Sequence, residues 1–165
     1  MLLRHVTAVA ILPLTVVVLV PCWIARRYHV APAGGSSAVE MASQLAGIVV
    51  IGIGLLLFGA SLWNFAVRGR GTLAPWDPPK NLVIDGPYRY VRNPMISGVI
   101  FVLFGEALVL RSSPHAGWAL VFLLVNIIYI PALEEPFLEQ RFGDSYREYC
   151  GHVRRFIPRS RPWTP

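Results

Sequence analysis

Two clusters of polar residues interrupt an otherwise apolar chain, and each has the makings of a binding site. The first is Tyr88-Arg89-Tyr90-Val91-Arg92-Asn93-Pro94. Pro94 suits the first turn of a helix, where its missing N–H costs nothing. Arg92 and Asn93 then stand at a helix N-terminus, whose free N–H groups and partial positive charge favour an anion. With Arg92 added, the site would take a carboxylate or a phosphate. Arg89 and Arg92 serve equally well as topology markers at a headgroup boundary. The second cluster is Ile130-Pro131-Ala132-Leu133-Glu134-Glu135-Pro136. Adjacent carboxylates at a membrane boundary repel each other and need water or a cation. An amine or a sulfonium would satisfy them, as would a wet helix end paired with Arg92 or Arg141.

Other chemistry is absent. His5, His29, His115 and His152 are scattered without metal-ligand spacing, so no metal site is expected. No nucleophile–His–acid set and no phosphate-cradling glycine loop is visible. Cys22 and Cys150 are the only cysteines, which excludes a disulfide scaffold, and Cys150 reads as a packing residue. Glu106 is the one acid within an apolar block and is expected to snorkel outward or meet Arg111.

These clusters must be positioned by elements that live in lipid. Of the 165 residues, 55% are apolar and 15% charged, against about 25% charged in an average globular domain. Mean hydropathy is +0.53. A soluble domain of this size could not hide so much apolar surface, and the shortage of charge excludes disorder. The apolar residues fall in four blocks, at about 6–24, 41–67, 94–110 and 116–133. Each approaches the ~20 residues that cross a hydrocarbon core as a helix. The expected fold is all-α, a single domain over 1–165 with four transmembrane helices and a C-terminal interfacial helical segment.

Charge sets the orientation. Arg4, Arg68, Arg70, Lys80, Arg89, Arg92, Arg141, Arg147, Arg154, Arg155, Arg159 and Arg161 share one face, and only Arg26, Arg27 and Arg111 fall on the other. The positive-inside rule places the larger set, with both termini, in the cytoplasm, and the inner membrane of a bacterium is the expected home. The basic pI of about 9.9 then reads as topology and as attraction to anionic headgroups. Nucleic acid is not an expected partner, because no basic helix is interleaved with base-stacking aromatics. Arg4 and the first apolar block, followed by Ala31-Pro32-Ala33, have the outline of a signal peptide. The apolar run is longer than a signal core, and Arg26-Arg27-Tyr28-His29 charges the cleavage region, so the segment is read as a retained helix.

Finer local signals complete the frame. Gly47, Gly54 and Ser61 recur every seven residues, as do Gly52 and Gly59, and Gly98 and Gly105; each set marks a face where backbones can approach. Arg111 to His115 should form a tight hairpin. Lys80 to Ile84 reads as extended, with a turn at Asp85-Gly86-Pro87. Phe137 to Phe142 reads as a short amphipathic helix stopped at Gly143. Ser145 and Glu148 have capping-box spacing for a further helix. The segment around Phe156-Ile157-Pro158 is expected at the interface, its apolar side on the bilayer and Arg154, Arg155 and Arg159 on phosphates.

The stretch Gly86-Pro87-Tyr88-Arg89-Tyr90-Val91-Arg92-Asn93-Pro94-Met95, with Gly98, resembles a motif of the isoprenylcysteine carboxyl methyltransferase and phospholipid methyltransferase superfamily. Its second half is similar at Glu134-Glu135, Leu138, Phe142-Gly143, Tyr146 and Tyr149, and Val153 to Pro158 resembles the closing segment. The similarity covers about residues 80–158. It implies a membrane methyltransferase using S-adenosylmethionine and a lipophilic acceptor that enters between helices. It further implies that Lys80, Asn81, Leu82, Val83, Tyr88, Asn93, Pro94, Met95, Ile96 and Glu134 bind the cofactor. Arg92 would orient the acceptor or the cofactor carboxylate. Glu135 would support it and, with an amine acceptor, Glu135 or water would take the proton.

Three departures stand out. Asn93 replaces the usual His and Ile96 the usual Tyr, and Ile130 stands where the carboxyl methyltransferases place a substrate-contacting Arg. That last change argues against a prenylcysteine carboxylate as acceptor. Two other readings share these residues: an NADPH-dependent membrane reductase related to sterol reductases, and a non-catalytic partner that retains the fold.

Overall fold

Prolines and glycines, more than the apolar blocks, decide where the helices bend, meet and stop. The computed structural model describes residues 13–30, 37–68 and 81–164. All regular elements among them are helical. A π-helical turn, Thr15–Leu19, runs into α1 (Val20–Arg27). Then follow α2 (Ala38–Arg68), a 3-10 turn (Gly86–Arg89), α3 (Pro94–Leu110) and α4 (Ser113–Tyr129). A second π-helical turn, Ile130–Glu134, leads into α5 (Glu135–Phe142), and α6 (Asp144–His152) closes the helical part.

Among the described residues, two helices are long and apolar enough to cross a membrane: α2, and the unbroken run Ser113–Phe142. At 31 residues α2 is roughly 45 Å long, more than the ~30 Å of hydrocarbon. The shorter α3 is apolar over its 17 residues. For the first expected span, residues 1–12 lie outside the described residues, as do 31–36, where the cleavage signal would fall.

The fourth span does not end at Leu133, and Phe137 to Phe142 is not a separate helix. The π turn widens the helix around Pro131, whose ring and missing N–H an α-helical turn would not accommodate, so the helix continues into α5. Termination comes at Gly143, with φ +57°. The Ser145–Glu148 capping box does not form either. Gly143 occupies the N-cap and α6 opens at Asp144, with Arg147 bridging Asp144 at 2.6 Å and Glu139 at 2.7 Å. A capping box does open α2. Glu40 N donates to Ser37 Oγ and Ser37 N to Glu40 Oε2, both at 3.3 Å.

The principal packing is α2 against α3, and it uses two of the three small-residue sets. A Cβ added at Gly54 would lie 2.6 Å from Gly98 O, and one at Gly98 would lie 2.8 Å from Gly54 O. Gly47 and Gly105 repeat the arrangement one level along, and Ser61 is fully buried. Backbones therefore touch where side chains would hold them apart. Gly52 and Gly59 face open space. The α3–α4 hairpin turns through Arg111, at φ +48°, and buried Ser112. Arg111 pairs with Glu40 at the start of α2, not with Glu106, because the left-handed turn carries it toward that end of α2. His115 is held by Ser112 Oγ at 2.7 Å and Pro21 O at 3.2 Å, joining α1 to α4.

Candidate active site

The site region is assembled by three connections that the chain makes back onto itself. First, residues 81–90 are moored to the end of α2. Asn81 Nδ2 donates to Arg68 O at 3.3 Å, and Arg68 Nη1 pairs with Asp85 Oδ2 at 2.7 Å. Gly86 has φ +59°, and a Cβ there would sit 2.5 Å from Asn64 Nδ2, so both conformation and space require glycine.

Second, the segment after α6 returns across residues 89–92. Arg92 N donates to Arg154 O at 2.9 Å, Arg159 N to Tyr90 O at 2.9 Å and Trp163 N to Arg89 O at 3.0 Å. Arg89 Nε answers with a bond to Trp163 O at 2.7 Å. The apolar residues of this segment do not all face outward as the sequence suggests. Val153 and Trp163 bury against Tyr146 and Tyr149, joined by Leu82, Ile84, Leu138, Phe142 and Cys150. Trp163 stacks on His152 at 5.2 Å between centroids. Ile157 remains exposed.

Third, α5 delivers Glu135 to Arg92. Arg92 Nη1 lies 3.0 Å from Glu135 Oε1, with the side chains only 13% and 17% exposed. Arg155 grips the same carboxylate with both forks, Nε to Oε1 and Nη2 to Oε2, each at 2.7 Å. Cys150 Sγ is 2.8 Å from Arg92 Nη1, so the cysteine borders the charge cluster as well as packing. Arg92 Nε is buried and has no hydrogen-bond partner among the described residues.

Glu134 differs from its neighbour, making no ion pair among the described residues. Its charge bears on Tyr88: burial first, and Glu134 second, push the Tyr88 hydroxyl well above the ordinary phenol range. Tyr149 Oη donates to Tyr88 O at 2.7 Å, and burial raises its hydroxyl too. The hydrogen bond to Glu135 raises the Arg155 guanidinium further, keeping it charged.

The structure thus brings together Arg92 and Glu135, with Asn93 attached through its Nδ2 bond to Arg155 O at 3.3 Å. Tyr88 lies close enough to feel Glu134. Pro94 is buried at the start of α3, and Met95 and Ile96 are half-buried on its first turn. Val83 is buried, Leu82 lies in the Tyr146–Trp163 cluster and Asn81 is tied to α2. Lys80 lies outside the described residues. Arg155, which its place in a basic tail assigns to lipid phosphates, instead holds Glu135. No spacing rule links positions 135 and 155, and only the returning tail brings them together.

Chemically, the cluster offers an arginine with a buried donor and, one residue from its partner, a carboxylate, neither of them paired among the described residues. It can therefore hold a molecule that carries both an anionic and a cationic group.

The family profile described as phospholipid methyltransferase matches residues 42–145. A phosphatidylethanolamine N-methyltransferase of Laccaria bicolor (strain S238N-H82 / ATCC MYA-4686) is 31% identical over 111 residues, which is 62% of this chain. The matched region is 12% of that protein's length, so the chain corresponds to a small part of it. No solved structure matches. The matched stretch runs from the second turn of α2 through Glu134 and Glu135 to the first turn of α6 and takes in the α2–α3 packing, the Arg92–Glu135 pair and both carboxylates of α5's entry, and on this evidence the chain belongs to the phospholipid methyltransferase family.

Proposed function

We propose that this protein is an integral-membrane methyltransferase that uses S-adenosylmethionine to methylate the amine of a phospholipid headgroup. The observation that carries the reading is the buried Arg92–Glu135 pair, in which Arg92 Nε has no partner among the described residues, together with Glu134 at the adjoining chain position, which makes no ion pair among them. An orphaned guanidinium donor fits a carboxylate, and a lone carboxylate fits an ammonium or a sulfonium. S-Adenosylmethionine carries all three groups, and when bound it supplies an electrophilic methyl carbon.

The chain's own part is alignment and the exclusion of water. Arg92 and Glu134 would fix the two ends of the charged portion. Pro94, Met95 and Ile96, with Leu82, Val83 and Tyr88, would supply apolar and aromatic walls; Asn81 and Lys80 complete the proposed set, while the Asn93 amide is spent on Arg155 O and acts at one remove from the cofactor. An acceptor ammonium has to shed a proton before its nitrogen has a free electron pair. Glu135, committed to two guanidiniums, is a poor recipient, which leaves that proton to water or to Glu134. Amine chemistry is supported by the relative's name and by Ile130, which is fully buried where an anion-contacting arginine would otherwise stand.

The arrangement we propose in the membrane is a single domain with four spans and with the site and both termini on the cytoplasmic face. The clustering of Arg68, Arg89, Arg92, Arg154 and Arg155 at one end of the helices supports it. The functional test is purified protein in phosphatidylethanolamine vesicles with methyl-labelled S-adenosylmethionine. Label in the lipid amine supports the reading. Absence of transfer together with tighter binding of NADPH than of S-adenosylmethionine would replace it with a reductase. Absence of binding to either would leave a non-catalytic partner.

A further inference from the structure

The segment after α6 touches three site residues through two consecutive positions. The Arg155 side chain holds both oxygens of Glu135 at 2.7 Å, a bidentate geometry that a planar guanidinium can make and an ammonium cannot. The Arg155 main-chain carbonyl accepts from Asn93 Nδ2 at 3.3 Å, and Arg154 O accepts from Arg92 N at 2.9 Å. Asn93 is the N-cap residue of α3, yet its side chain makes no capping bond. An asparagine at that position ordinarily caps its own helix; this one is spent on the tail instead.

We propose that Asn93 and Arg155 are positioning residues that brace the 153–163 segment across the site, fixing Glu135 between two guanidiniums and leaving Arg92 Nε free for the ligand. The identity of that ligand rests on the methyltransferase reading above; the brace itself does not. Asn93 acts as an oriented neutral donor and carries no proton in the reaction. A histidine at this position, as in the superfamily motif, would offer one N–H to the same carbonyl. Arg155 compensates the second oxygen of Glu135. Without it the carboxylate would turn toward Arg92 alone and draw the guanidinium away from the ligand.

The test uses the full chain in phosphatidylethanolamine vesicles, with three readouts. These are deuterium exchange at the amides of Arg159 and Trp163, calorimetric affinity for S-adenosylmethionine, and kcat and KM for the lipid. Asn93→Asp keeps the shape but puts an oxygen against the Arg155 carbonyl; Arg155→Lys keeps the charge but loses the fork. Each is expected to speed exchange and to weaken S-adenosylmethionine affinity by roughly tenfold, the loss of a charge-assisted or buried hydrogen bond. The lipid KM should stay within about twofold, because neither residue touches the acceptor. Asn93→His should restore both affinity and protection. Wild-type values in Asn93→Asp and Arg155→Lys overturn the brace, as does an Asn93→His variant damaged as severely as Asn93→Asp. If Asn93→Asp does not fold, Arg155→Lys and Asn93→His decide the matter. A wild-type chain that binds no S-adenosylmethionine overturns the methyltransferase reading alone, since exchange at Arg159 and Trp163 still reports the brace.

Discussion

Arg92 and Glu135, on opposite sides of the α3–α4 hairpin in sequence, meet as an ion pair of 3.0 Å with both side chains more than four-fifths buried. Such a pair persists only where additional hydrogen bonds offset the cost of removing two charges from water. Arg155 supplies them, so Glu135 is the shared anion of two cations.

Replacing Glu135 by Gln keeps the volume and removes that anion, leaving two guanidiniums facing each other. The expected loss of stability is about 3 kcal/mol, the scale for breaking a buried pair on one side. Thermal unfolding of the detergent-solubilised variant measures it. Methyl transfer should fall with it even below the melting temperature, because Arg92 is no longer held. A Glu135→Gln protein that melts and turns over like wild type would show that the pair is incidental.

Cys150 gives chemical access to the same cluster. Its sulfur is 2.8 Å from Arg92 Nη1 and its side chain is half-buried, whereas Cys22 is exposed near the other end of the helices. In a Cys22→Ala background, maleimide attached at Cys150 would occupy the space around Arg92. Methyl transfer should then drop by about tenfold or more, the effect of displacing one well-placed charged group. Prior addition of S-adenosylmethionine should slow the labelling, which mass spectrometry follows. Labelling at an unchanged rate, with activity retained, would place the ligand elsewhere.

The tyrosines set an alkaline limit. Burial holds the hydroxyls of Tyr88, Tyr146 and Tyr149 above the ordinary phenol value of about 10. In the unfolded chain these groups lose their protons first as pH rises, so ionisation favours unfolding. Stability from this source is intact below pH ~10 and is lost above it, toward the raised folded values. The melting temperature should therefore be flat from about pH 7 to 9 and fall steeply beyond about 10. Tyr149→Phe should flatten part of that fall while costing about 1 kcal/mol for its lost bond to Tyr88 O.

What the sequence could reveal follows the range of the forces involved. Hydropathy is local, so α2 and α3 are legible almost to the residue, and Pro94 marks its helix start correctly. The end of the fourth apolar block is not legible. A proline reads as a stop unless the helix changes register, and the π turn at Ile130–Glu134 is a backbone adjustment with no composition of its own. The capping-box spacing at Ser145 is pre-empted by Gly143, and the box that forms is the one at Ser37. For the site, Arg92 and the two carboxylates announce themselves as costly charges near apolar runs. Arg155 does not, because an arginine in a basic tail looks the same whether it meets phosphate or a buried carboxylate.

The glycines separate packing from mere periodicity, and they supply a paired experiment on one helix. Gly54 and Gly59 both sit inside α2 and both belong to seven-residue series. A methyl group at Gly54 would be 2.6 Å from Gly98 O and 2.9 Å from Val102 N, atoms of a helix backbone that cannot rotate aside. Gly54→Ala should therefore force α2 and α3 apart, at a cost of about 1–3 kcal/mol. At Gly59 the added methyl meets nothing, and the replacement gains helix propensity, so Gly59→Ala should stabilise by up to about 1 kcal/mol. Melting curves of the two variants in the same detergent give opposite signs if the α2–α3 contact is built on Gly54 and Gly98. Because α2 also holds Asn81 and Asp85 through Arg68, Gly54→Ala should lower methyl transfer as well, while Gly59→Ala leaves it at the wild-type level.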